Sequence, residues 1–141
     1  MKNDRVAVDA SFLLTLFLPE NKSDRAEELW GAWVGDHVEI VAPTLILYEV
    51  SSVIRNKVFG RILTEKEGGE MLSVLRRLDI SVIHDEELLD IAWEIGAILN
   101  TPNLYDCFYL ALAKLLGISL WTADEKLFRS AEKTFGFVNL L

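Results

Sequence analysis

Soft metal ligands are scarce in this chain of 141 residues: one cysteine, Cys107, and two histidines, His37 and His84. A single thiol excludes an intrachain disulfide, and three scattered soft ligands cannot assemble the Cys and His sets of a structural zinc site. Three prolines, eight glycines and no Ser, Gln or Pro tract leave no linker, repeat or low-complexity segment. Long apolar runs are missing too. The nearest approach, Ser11 to Leu18, preceded by Met1, Lys2 and Arg5, imitates a secretory signal. Asp9 interrupts the apolar stretch, Pro19 and Glu20 end it, no small-residue cleavage pattern follows, and nothing nears the roughly 20 residues of a spanning helix. A cytoplasmic chain with no membrane partner is expected. Positive charge is in deficit, with 14 Lys and Arg against 22 Asp and Glu and a net charge of -8. That excludes the broad basic face of a bulk polyanion binder. An anionic substrate would need local compensation.

What is present is core-forming material. A composition 51% hydrophobic and 26% charged suits one compact domain spanning residues 1–141. Short β-branched runs alternate with longer helical patterns, which predicts an α/β fold with a parallel sheet and crossover helices. Strands are expected at 5–8, 38–41, 81–83, 119–122 and 137–140, and helices at 11–17, 23–34, 44–59, 64–78, 86–99, 104–116 and 125–133. Ser23, Thr44, Thr64 with its Thr-Glu-Lys-Glu box, and Asn103 read as N-caps. Gly60 and Gly117 stand where helices should stop.

Four acids stand out against this framework. Asp9 follows the first strand and Asp124 the fourth, the carboxyl ends at which open α/β sheets place their sites. N-capping is the structural alternative for each. Asp106 lies in the first turn of an apolar helix, where a capping box with Asn103 would also explain it. Glu49 has Leu45, Ile46 and Val53 as helical neighbours, so its carboxylate must be paired, hydrogen-bonded, protonated or at the edge of the stripe. Four separate structural explanations require four coincidences, and one shared site requires only convergence. Converging carboxylates repel by up to about 4 kcal/mol per close pair at an effective dielectric of 20. They need a cation. An all-oxygen set with room for water suits Mg2+ or Mn2+.

The blocks Val8-Asp9-Ala10-Ser11, Tyr48-Glu49-Val50, Tyr105-Asp106-Cys107-Phe108-Tyr109-Leu110-Ala111-Leu112-Ala113 and Trp121-Thr122-Ala123-Asp124 with Leu127 together resemble the PIN-domain family. More narrowly, the chain is similar to the VapC toxins of prokaryotic toxin-antitoxin pairs, along essentially its whole length. The resemblance implies a three-layer α/β/α fold with a central parallel sheet and a Mg2+- or Mn2+-dependent endoribonuclease whose products end in 5'-phosphate and 3'-hydroxyl. It implies an acidic site of Asp9, Glu49, Asp106 and Asp124, with Ser11 and Thr122 accessory. Cys107 stands where the family often has Ala, and reads as a small buried residue. The resemblance also implies a VapB-like antitoxin partner and a homodimer.

In that reading Asp9, Asp106 and Asp124 are metal ligands, direct or through water, and Glu49 orients the attacking water or a second ion. Arg55, Lys57, Arg61, Lys126 and Arg129 are candidates for phosphate contacts with RNA. Trp30 and Trp33, one turn apart, belong either to the core or to a partner interface. An acidic surface would suit an antitoxin that brings Arg or Lys into the site. Two other functions compete. A phosphorylated receiver module would use Asp85, after the third strand, as phosphoacceptor, but it should also show an acidic pair after strand one, where only Asp9 stands. A silent PIN scaffold would keep the fold and lose the chemistry.

Overall fold

The computed structural model describes residues 4–18 and 22–141; Met1, Lys2, Pro19 and Glu20 lie outside them. In chain order the elements are β1 (Arg5–Val8), α1 (Ala10–Phe17), α2 (Ser23–Gly35), β2 (Glu39–Pro43), α3 (Leu45–Phe59) and α4 (Glu65–Arg77). The second half adds β3 (Ser81–Ile83), α5 (Glu87–Leu99), α6 (Tyr105–Leu116), β4 (Ser119–Thr122), α7 (Glu125–Ala131) and β5 (Val138–Leu140). The strands form one parallel sheet in the order β3-β2-β1-β4-β5. Ala7 of β1 pairs with Val41 of β2 on one side and Leu120 of β4 on the other.

Helices on both faces explain why the central strands are almost wholly apolar. Val6, Ala7 and Val8, Ile40, Val41 and Ala42, and Leu120 are all buried. Steps from β1 to β2 to β3 move one way across the sheet, and the chain then returns past β1 to β4. Right-handed crossovers therefore send the helices of the two legs to opposite faces. The packing agrees: α1 touches α2 and α3, α3 touches α4, and α5 pairs with α6, which lies on β1, β2 and β4. The result is a three-layer α/β/α fold. The α6 helix is the most deeply set. Cys107, Tyr109, Leu110, Ala111, Leu112 and Ala113 are buried, and its large side chains are each worth roughly 1.5–3 kcal/mol of burial. Gly96 lets α5 come close, since a Cβ there would stand 2.5 Å from Leu104. On α3 the buried stripe is Ile46, Val50 and Ile54, and Leu45 and Val53 are only partly buried.

Several expected caps are realised differently. Thr64 makes its capping box, accepting from the Glu67 N–H while Glu67 accepts from the Thr64 N–H, both at 3.0 Å. Thr44 already has helical angles (φ -51, ψ -31) and makes no side-chain cap. Ser23 lies inside α2, with its hydroxyl donating to the Leu18 carbonyl at 3.1 Å. Gly117 ends α6 in the left-handed region at φ 66, as expected of glycine. At the end of α3 that conformation falls to Arg61 (φ 60) and not to Gly60. No helix among the described residues is long and apolar enough to cross a membrane.

Candidate active site

The connections from β1 and β4 diverge to opposite sides, so the crevice between their carboxyl ends is the switch point where such sheets bind ligands. Asp9 and Asp124 stand there. Asp9 is 3% exposed, and its Oδ1 caps α1 by accepting from the Phe12 N–H at 2.9 Å and the Ser11 hydroxyl at 2.7 Å. Oδ2 accepts from the Thr122 hydroxyl. Three of the roughly four lone-pair positions of this carboxylate are thereby filled, which leaves one, on Oδ2. Burial pushes the Asp9 carboxyl from 3.8 up to about 6, against the lowering effect of those hydrogen bonds.

Thr122, itself fully buried, links the ends of the two strands. Besides donating to Asp9 it accepts from the Asp124 N–H at 3.0 Å, and Ser11 Oγ accepts from the Ala123 N–H at 2.9 Å. The two hydroxyls lie 3.1 Å apart. Asp124 caps α7 with Oδ1, which accepts from Lys126 and Leu127 N–H groups at 2.9 and 3.1 Å. Its Oδ2 makes no hydrogen bond among the described residues. Capping and site placement are therefore compatible at both acids: one oxygen serves the helix and capacity remains on the other.

Asp106 differs. Asn103 Oδ1 accepts from the Tyr105 N–H at 3.3 Å, Asp106 does not reciprocate, and the residue preceding α6 is Leu104, which makes no side-chain cap. The capping box therefore fails, and Asp106 makes no hydrogen bond among the described residues. Its carboxyl is raised by burial, then by the charges of Asp124 and Glu49. The Asp106 charge in turn raises Asp9, so Asp106 is the acid through which the other three are electrically connected. Glu49 is half-buried at the edge of the α3 stripe, and its Oε1 accepts from the Tyr109 hydroxyl at 2.6 Å.

Tyr109 was not singled out from sequence, because a tyrosine in an apolar helical run reads as core. It is 1% exposed, yet its hydroxyl reaches across 60 positions of sequence to Glu49. Burial first, then that bond and the surrounding acids, push the phenol far above its ordinary value.

The sequence model of the PIN domain matches residues 6–133. The chain belongs to the PIN-domain family. It is 30% identical over 125 residues to Ribonuclease VapC3 of Pyrobaculum aerophilum, covering 87% of this chain and 92% of the relative. It is 32% identical over 125 residues to the VapC ribonuclease Mb0985 of Mycobacterium bovis, covering 86% and 87% respectively. Among solved structures it resembles Mycobacterium tuberculosis VapC20, described as a Sarcin-Ricin loop cleaving toxin (TM-score 0.68, 17% identity, 89% of this chain and 94% of that one). It also resembles VapBC2 from Rickettsia felis, bound to a DNA fragment from its promoter (TM-score 0.69, 12% identity, 97% of both chains). At such identities these two likenesses establish the fold.

In this PIN domain the acids are gathered loosely. Among the described residues no three of His, Cys, Asp or Glu are close enough together to hold a metal ion as they stand. Asp106, with no hydrogen bond to break, is the side chain freest to turn. The donor set fits a hard cation: carboxylate oxygens with capacity left at Asp9, Asp106 and Asp124, and no His or Cys ligand. Cys107 is 1% exposed, and its thiol is raised by burial and then by Asp106, the opposite of an activated cysteine.

The cleft walled by Asp106 and Asp124 includes Lys126. Arg55, Lys57 and Arg61 are not among its lining residues. At 1.5 Å rise per residue, Arg55 and Lys57 lie roughly 9 and 12 Å along α3 from Glu49, and Arg55 instead pairs with Glu65 on α4 at 2.9 Å. Arg129 pairs with Glu125 at 3.6 Å. Trp33 is partly buried among rings, with centroids 5.4 Å from Phe12 and 6.2 Å from Trp121; Trp30 packs against the same core. The receiver alternative is overturned. A receiver-type sheet sets β3 beside β1, whereas here β2 separates them and Asp85 caps the Glu87 N–H at 2.9 Å.

Proposed function

We propose that this chain is a single-domain endoribonuclease that hydrolyses RNA with Mg2+ or Mn2+, acting in the cytoplasm as the toxin of a type II toxin-antitoxin pair. The observation that supports it best is the placing of Asp9 and Asp124 at the β1/β4 switch point, with Asp106 near enough to feel the charges of Asp124 and Glu49 and to raise Asp9. The VapC ribonucleases to which the chain is similar support the substrate class.

Asp9, Asp106 and Asp124 would hold the cation, which when bound lowers the pKa of an attacking water and offsets phosphate charge. Asp9 is held by Ser11, Phe12 and Thr122, so it keeps its orientation, and the lone pair left on Oδ2 is the one it would offer a cation. Glu49, held by the Tyr109 hydroxyl, orients the water and accepts its proton at Oε2; Tyr109 is a positioning residue. Lys126 meets a phosphate of the strand and offsets part of the net charge of -8. No side-chain nucleophile is required, so products with 5'-phosphate and 3'-hydroxyl ends are expected.

The toxin assignment extends to partners: a VapB-like antitoxin and a second copy of the chain. The toxin-antitoxin complex from Klebsiella pneumoniae, of the same fold (TM-score 0.65), supports the first. Exposed Leu89, Trp93 and Ile98 on α5 are the kind of apolar surface protein partners cover.

The test is cleavage of total RNA with Mn2+, with the ends mapped. Wild type should cut and leave 5'-phosphates. Asp9→Asn and Asp106→Asn should each lose more than about a hundredfold in rate, the loss that even outer partners of metal ligands can produce. Wild type that leaves structured and unstructured RNA intact is a silent scaffold.

A further inference from the structure

Two clefts flank the first turn of α6. The larger, about 660 Å3, lies toward α3 and α5, where Tyr48, Leu89 and Phe108 line it with Asp85, Glu86 and Asp90. The smaller, about 510 Å3, runs between the loop of residues 100–103 and α7, with Asp106 and Asp124 in its wall. Charge separates them as paths for a phosphodiester strand. The larger has three carboxylates and neither Lys nor Arg; the smaller has Lys126 and no acid beyond the site's own.

The smaller cleft also carries uncommitted amide groups on a braced loop. Asn100 ends α5 in the left-handed region (φ 50, ψ 50), with its N–H on the Ala97 carbonyl at 3.3 Å and the Thr101 N–H on the Gly96 carbonyl at 3.2 Å. The Thr101 hydroxyl donates to the Asn103 carbonyl at 3.1 Å. The backbone is thus fixed, while the Asn100 side chain and the Asn103 NH2 make no hydrogen bond among the described residues. The Asn100 carboxamide presents a donor beside an acceptor, the pattern with which side chains read a base edge, and Asn103, whose Oδ1 already accepts from the Tyr105 N–H, adds a donor.

We propose that this cleft is the subsite for the ribonucleotide next to the cut, with Lys126 on its phosphate and Asn100 and Asn103 on the edge of its base. These amides then set which nucleotide flanks the cleaved bond. The inference rests on the ribonuclease reading and adds to it a place where sequence preference is decided.

The test uses the full chain with Mn2+ and single-stranded RNA of randomised sequence, with cut positions mapped. Asn100→Gly keeps the left-handed backbone and removes the amide. It should flatten the base preference at one position beside the cut by at least about fivefold, the low end of what one good base contact confers. Lys126→Ala should leave the preference and raise KM on every sequence, with a salt dependence reduced by about one charge. An Asn100→Gly preference identical to wild type, or a wild type with no preference, overturns the subsite while the nuclease stands. A second arm measures binding alone, by anisotropy of a fluorescent single-stranded RNA. If wild type cuts nothing, weakened binding by both variants upholds the subsite without the nuclease, and unchanged binding overturns it.

Discussion

Asp9 leaves a buried strand and receives hydrogen bonds from Ser11, Phe12 and Thr122; Asp106, in the first turn of α6, receives none among the described residues. The carboxyls of both are raised, and burial is the leading cause in each. Their surroundings nevertheless assign different tasks. Asp9 is a framework acid whose direction the fold determines before any cation arrives. Asp106 makes no hydrogen bond among the described residues and feels the charges of Asp124 and Glu49, so in the proposed site it would be the side chain able to close the set. In the proposed cation site a buried carboxylate held by donors would supply place, and an open one without them would supply movement.

The pH dependence of stability should separate them most strongly. Asp9, raised from 3.8 to about 6, binds a proton more tightly in the folded chain than in the unfolded one. Its contribution is therefore whole below about pH 4 and is lost as the pH rises through about 6. The slope of about 1.4 kcal/mol per pH unit applies between about pH 4 and pH 6, so metal-free wild type should lose roughly 3 kcal/mol relative to Asp9→Asn by pH 7, read by urea denaturation. A constant difference would contradict the buried setting given to Asp9. Thr122→Val removes a donor from Asp9 and the acceptor of the Asp124 N–H, and should cost about 2 kcal/mol at pH 7. Asp106→Asn should do the reverse and raise metal-free stability, by under about 1 kcal/mol because solvent screens the site. If Asp106→Asn melts well below wild type, Asp106 has a structural partner and the contrast fails.

Much of this was legible in the residues. The strand runs were readable because central parallel strands must be apolar on both faces, and the acids at β1 and β4 because their positions follow from topology. The cap at Thr44 was misread because Pro43 ends β2 and Thr44 enters the helix at once, with no room for an extended cap residue. Arg55 and Lys57 were assigned by nearness in sequence to Glu49, and the rise of α3 sets them about two turns further along the helix from it. Tyr109 was hidden for the opposite reason: its ring belongs to the core, and only its hydroxyl, pointing across to α3, belongs to the site. No periodicity records where one oxygen atom goes.

The central claim is that Asp9, Asp106 and Asp124 share one cation at the β1/β4 switch point. Anomalous diffraction from crystals of this chain soaked in Mn2+ tests it most directly. The account predicts a peak between these three carboxylates, with Asp9 Oδ2 and an Asp106 oxygen at about 2.0–2.3 Å or one water away. A fully soaked crystal with no peak there, or with its Mn2+ bound at other acids and Asp106 left in place, would contradict it.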